Sequence, residues 1–87
     1  MKKNLEEKAV ITVDELKNVL KTALPYEINL EGINEESDLR KDVGLNSIGM
    51  LYVAMILEEK YSVQFSNEDF PKLNKVADVI AKVEGRL

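Results

Sequence analysis

The apolar positions recur at helical spacing in three stretches, and the longest gap between them is a loop. The first clear run opens at Thr12-Val13-Asp14-Glu15, where a threonine three residues ahead of a glutamate reads as a capping box. At about 100° per residue, Val13, Leu16, Val19, Leu20, Ala23 and Leu24 fall within one arc of roughly 140°. Asp14, Lys17, Asn18, Lys21 and Thr22 lie outside it, so the stretch is an amphipathic helix that Pro25 ends. Residues 1–11 carry little pattern and are expected to form a tail.

Residues 25–45 have no sustained period and hold Pro25, Gly32 and Gly44. Connections of this length in compact domains are tied down by their own side chains. Ile28, Leu30, Ile33 and Leu39 are the expected anchors, and Ser37-Asp38-Leu39 is placed to start a short helical turn. A second helix is expected from Asn46 or Ser47 to about Tyr61. It has no charge from Ile48 to Leu57, so its solvent side is fixed only by Glu58 and Glu59. The helical angle puts those two on the same side as Ile48, Leu51, Tyr52 and Met55. Met50, Val53, Ala54, Ile56, Leu57 and Tyr61 fall on the other, core side, and Lys60 falls awkwardly toward it. Either the helix is wrapped on all sides or it shows an apolar stripe to solvent. A small domain wraps a central helix with difficulty, which favours the stripe.

Ser62-Val63-Gln64-Phe65 reads as an extended link. One short helical turn is expected near residues 67–72, with Phe65, Phe70 and Leu73 inward. The last helix follows Asn74, with Val76, Val79, Ile80 and Val83 at i, i+3, i+4, i+7 and Gly85 as its stop signal. The expected fold is all-α: a small four-helix bundle of three longer helices and one short one, with a long loop between the first two. Residues 1–87 are expected to be one domain, with the bundle over 12–84.

Composition then removes most kinds of chemistry. The chain has 87 residues, a net charge of −4, no cysteine and no histidine. Ser–His and Cys–His nucleophilic catalysis are excluded, as are disulfides and thiolate metal sites. The acidic balance argues against nucleic acid. The longest uncharged run, 43–57, is too short to insert across a membrane. Lys2 and Lys3 precede Asn4, Leu5, Glu6 and Glu7 rather than an apolar segment, so no signal peptide is expected and the cytoplasm is the expected location. A monomer is expected. Glu58 and Glu59 point about 100° apart and make a poor acid/base pair. Glu35, Glu36, Asp38 and Asp42 lack the spacing of a calcium loop, so no metal site is expected.

The remaining candidate is Ser47, in Gly44-Leu45-Asn46-Ser47-Ile48. A serine at a helix start has one plain explanation, capping. It also stands where free backbone N–H groups and the positive end of the helix dipole favour an anion. The segment resembles the attachment site of acyl carrier proteins, whose usual form is Gly-x-Asp-Ser-Leu. The resemblance continues through Ser37-Asp38-Leu39, Val43, Leu57-Glu58-Glu59-Lys60-Tyr61, Phe65, Glu68-Asp69 and Val76-Ala77-Asp78-Val79-Ile80, without a gap from Ser47 to Val83.

That resemblance implies a non-catalytic carrier. A phosphopantetheinyl transferase would transfer 4′-phosphopantetheine from coenzyme A to Ser47, flanked by Asn46 and Ile48, and the arm would hold acyl groups as thioesters. Acyl-loading and acyl-processing enzymes such as ligases, ketosynthases and acyltransferases would be the partners. They would dock on Ile48, Leu51, Tyr52, Met55, Glu58 and Glu59. Three departures qualify it: Asn46 replaces the usual Asp, Ile48 replaces Leu, and Gly49 and Tyr52 stand where carriers of general fatty-acid synthesis are usually acidic. They shift the expectation toward fatty acid-like, polyketide or other specialised biosynthesis. The alternatives are a peptidyl or aminoacyl carrier, an unmodified carrier-like interaction protein, and an unrelated helical module in which Ser47 only caps.

Overall fold

The computed structural model describes residues 10–24 and 28–86. Among them are three α-helices and a single 3₁₀ turn: α1 is Val13–Ala23, α2 is Ser47–Tyr61, the turn is Phe70–Lys72 and α3 is Val76–Val83. The short element expected near 67–72 is thus one 3₁₀ turn. Pro71 stands in its first turn, where a missing N–H costs nothing, and Leu73 (φ −96°, ψ 87°) leaves the helical region and ends it. The described residues form no strand; one antiparallel bridge pairs Asp38 with Lys75.

Each helix end has a local cause. Thr12 Oγ1 accepts from Glu15 N–H at 3.1 Å while Glu15 Oε1 accepts from Thr12 N–H at 2.9 Å, which completes the capping box of α1. Leu24 is extended (φ −101°, ψ 135°), the conformation that a following proline imposes. Ser62 ends α2 in the left-handed region at φ 58°. Gly85, at φ 78°, closes α3: its N–H reaches Lys82 O at 3.1 Å and Arg86 N–H reaches Ala81 O at 2.7 Å. These two bonds form a Schellman motif, and they are why the stop falls at a glycine.

The core joins Leu16, Val19 and Leu20 of α1, Met50, Val53 and Leu57 of α2, and Val76, Val79, Ile80 and Val83 of α3. Fully burying one leucine or valine contributes roughly 1.5–3 kcal/mol, so these faces fix how the helices meet. Ile11 is also buried, and its N–H donates to Glu84 Oε2 at 3.4 Å. It therefore belongs to the core and not to the expected tail; residues 1–9 of that tail lie outside the described residues. Of the expected loop anchors, Leu39 is buried while Ile28, Leu30 and Ile33 are half-buried. Val43 and Leu45 are the further loop anchors. Leu73 is buried, whereas Phe65 and Phe70 are half-buried and stack on each other with ring centres 6.1 Å apart.

The long loop is tied by backbone. Leu39 N–H donates to Asn74 O at 2.9 Å, Val76 N–H to Ser37 O at 3.0 Å and Ala77 N–H to Glu35 O at 2.9 Å. The loop thereby supplies acceptors to the otherwise unpaired first N–H groups of α3. Asp42 and Val43 both donate to Asp38 O, which makes the short turn expected after Ser37.

One core group is left unmatched. Tyr61 Oη is buried with no hydrogen-bond partner among the described residues, and burial, with Glu15 nearby, raises its pKa. A buried hydroxyl without a partner carries a desolvation cost. Tyr61→Phe is expected to stabilise the fold by about 1 kcal/mol, read as a higher midpoint in urea with an unchanged slope.

Candidate functional site

Two segments build the site: the end of the long loop and the first turns of α2. The loop is folded back on itself by Leu45 N–H, which donates to Leu39 O at 2.8 Å. That bond brings residue 40 close to the start of the helix. Gly44 makes the turn at φ 90°, a value open to glycine and strained for other residues. The carboxylate of Asp38 accepts from Lys41 N–H at 2.8 Å and Arg40 N–H at 2.9 Å, and these donors hold its pKa below the ordinary aspartate value.

Asn46 is the N-cap of α2. Its backbone is extended (φ −102°, ψ −178°), and its Oδ1 accepts from Gly49 N–H at 2.7 Å. Asn and Asp are about equally good in this role, so an amide here leaves the cap intact. Ser47 is therefore the first residue within the helix, not its cap. It is exposed, and no hydrogen bond engages its Oγ among the described residues. The first turn of α2 has no acidic residue, so nothing there neutralises the positive end of the dipole. A substituent on a hydroxyl so placed would break no structural bond.

Beyond Ser47 the exposed face of α2 is apolar. Ile48 is 62 % exposed, Leu51 49 %, Tyr52 43 % and Met55 63 %. The stripe expected from the helical angle is present, and the wholly wrapped alternative is not what forms. Met50, Val53, Ala54 and Leu57 are buried behind it, Ile56 and Tyr61 are half-buried, and Lys60 is exposed. Gly49 is buried. The two glutamates separate: Glu59 is exposed, whereas Glu58 is half-buried and its Oε2 accepts from Phe65 N–H at 2.8 Å. Glu58 thus fastens the link that follows the helix.

An apolar cleft of about 600 Å³ opens beside Ser47. Leu39, Arg40, Leu45, Asn46, Met50, Leu51, Asn67, Phe70, Pro71 and Leu73 complete its lining. The sequence reading missed Arg40 and this cleft. Arg40 lies seven residues before Ser47 in an acidic loop, and only the backbone bond from Leu45 to Leu39 brings it in. No cluster of three or more Asp or Glu side chains is placed to hold a metal ion among the described residues. No helix among them is long and apolar enough to cross a membrane.

With this geometry in hand, comparison with known proteins is direct. Residues 14–83 match the family described as "Phosphopantetheine attachment site". An acyl carrier protein of Coprothermobacter proteolyticus is 36 % identical over 73 residues, which cover 84 % of this chain and 87 % of that one. An acyl carrier protein of Wolinella succinogenes is 32 % identical over 71 residues, 82 % of this chain and 91 % of that one. Acyl carrier protein 3 of Ralstonia nicotianae is 24 % identical over 75 residues, 86 % and 84 % of the two chains. The chain belongs to the phosphopantetheine-binding acyl carrier protein family. Membership implies a covalently attached 4′-phosphopantetheine and a carrier rather than a catalyst.

The division of roles between Asn46 and Ser47 has a measurable consequence. Asn46→Ala is expected to lower stability by about 1 kcal/mol, and Asn46→Asp to keep the cap. Ser47→Ala is expected to stay within about 0.5 kcal/mol of the parent in the same urea titration. A larger loss at Ser47 than at Asn46 would reverse the assignment.

Proposed function

We propose that Ser47 is the attachment point and that residues 1–87 act as one carrier domain, its helical elements a small bundle presenting α2. The observation that carries this reading is the exposed, unbonded Ser47 Oγ at the start of a helix whose cap is another residue. When bound, the arm supplies a terminal thiol that holds an acyl group as a thioester. The protein's own work is tethering. It raises the effective concentration of that group at each partner's active site and orients it by docking.

A phosphopantetheinyl transferase would be the first partner, acting on Ser47 with Asn46 and Ile48 at either side. Acyl-loading and acyl-processing enzymes would follow on the stripe of Ile48, Leu51, Tyr52 and Met55. Glu59 supplies a charge at its far end, while Glu58, engaged with Phe65, contributes less. The face from Ile48 to Leu57 is uncharged, so docking relies on apolar contact more than on charge. That balance favours a dedicated route, fatty acid-like, polyketide or otherwise specialised, over service to general fatty-acid synthesis.

Incubation with coenzyme A, a divalent cation and a broad-specificity phosphopantetheinyl transferase, followed by intact-mass measurement, tests the attachment. One phosphopantetheine adduct is expected on the parent and none on Ser47→Ala. No adduct with any transferase, or one that persists in the variant, overturns the reading. Docking is tested by titrating the loaded protein against the enzyme that acylates it. Met55→Ala is expected to weaken binding about tenfold, and Glu59→Lys less, with a salt-dependent effect. Charge reversal at Glu58 and Glu59 abolishing binding while Met55→Ala leaves it intact would contradict the apolar docking face.

A further inference from the structure

Arg40 is a cation in an acidic loop, where its charge and that of Lys41 also favour the ionised carboxyl of Asp38. The carboxylate nearest in sequence, Asp38, accepts from the backbone N–H groups of Lys41 and Arg40. Among the described residues, the Arg40 guanidinium makes no ion pair within 4 Å. Arg40 lines the apolar cleft that also carries Ser47, with Leu39, Leu45, Met50, Leu51 and Phe70 as walls. Lys41, the next residue, faces a different hollow shared with Asp42 and Glu36. Arg40 is thus the one cation on this cleft among the described residues.

We propose that Arg40 is a positioning residue for the prosthetic arm: it pairs with the phosphodiester on Ser47 and draws the arm over the apolar cleft, away from Ile48, Tyr52 and Met55 of the docking stripe. The proposal rests on Ser47 being the attachment point. A guanidinium suits the task because it stays charged and presents a planar fork of donors to phosphate oxygens. The apolar walls, Leu51 among them, then lie beneath the first part of the arm, and Ile48, Tyr52 and Met55 stay open to a partner enzyme. Because the chain has no cysteine, the arm's thiol is the sole thiol of the loaded protein and reports where the arm lies.

The test compares the apo and loaded forms of the full chain. On loading, the Arg40 Nε–H resonance is expected to shift. Arg40→Gln keeps the backbone donor to Asp38 and is expected to retain the parent's unfolding midpoint. In the loaded Arg40→Gln variant, alkylation of the thiol by iodoacetamide, a neutral reagent, is expected to run about two- to fivefold faster than in the parent at low salt. The difference is expected to vanish near 1 M salt, where charge is screened within about 3 Å. Lys41→Gln is the control and is expected to match the parent. An Arg40 resonance unmoved by loading, an unchanged alkylation rate in Arg40→Gln, or an equal acceleration in Lys41→Gln overturns the inference. Failure of the parent to load at all would instead overturn the attachment site itself.

Discussion

The structure around the candidate site depends on one hydrogen bond, from Gly49 N–H to Asn46 Oδ1 at 2.7 Å. A helix that begins in the open must satisfy its first N–H groups, and the residue that does so is not free for other work. Asn46 takes that task and leaves the next side chain without a structural duty. The helix then starts at Ser47 with no acidic residue in its first turn and the exposed Ile48, Leu51, Tyr52 and Met55 ahead of it. Replacing the usual aspartate with asparagine removes a charge, but the capping geometry survives because either side chain offers an oxygen at that position.

The second constraint is the long loop. It has no regular period, yet three backbone bonds tie it to the segment entering α3, and a fourth closes residue 45 onto residue 39. The loop therefore does three things together: it caps the start of α3, it buries Leu39, Val43 and Leu45 in the core, and it brings Arg40 to the cleft beside Ser47. Site and fold are built by the same bonds. The freedom for function lies in side chains that the core does not use, namely Ser47, Arg40 and the stripe on α2.

Much of this was legible in the residues. The capping box at Thr12–Glu15, the end of α1 before Pro25 and the closing glycine at position 85 follow from local chemistry that tertiary packing does not overrule. The exposed stripe followed from the angle between Ile48 and Glu59 even though α2 has no charged face until its last turns. What could not be read was set by contacts beyond one helical turn. Ile11 is buried by packing and held by Glu84, and no periodicity near residue 11 announces it. Glu58 looks like a surface charge until Phe65 N–H turns back onto it. Arg40 reaches the cleft only through a backbone bond between two loop residues. The 3₁₀ turn at Phe70–Lys72 stops where Leu73, buried in the core, leaves the helical region.

Capping by Asn46 and the attachment proposed at Ser47 are separate jobs held by adjacent residues. Amide hydrogen exchange at Gly49, measured in the apo and phosphopantetheine-loaded proteins and in Asn46→Ala, addresses this division most directly. Equal protection of that amide before and after loading, with protection lost in Asn46→Ala, is expected if Asn46 alone caps the helix. Protection that falls on loading while Asn46→Ala leaves it unchanged would show that Ser47 is the cap, and would contradict the account.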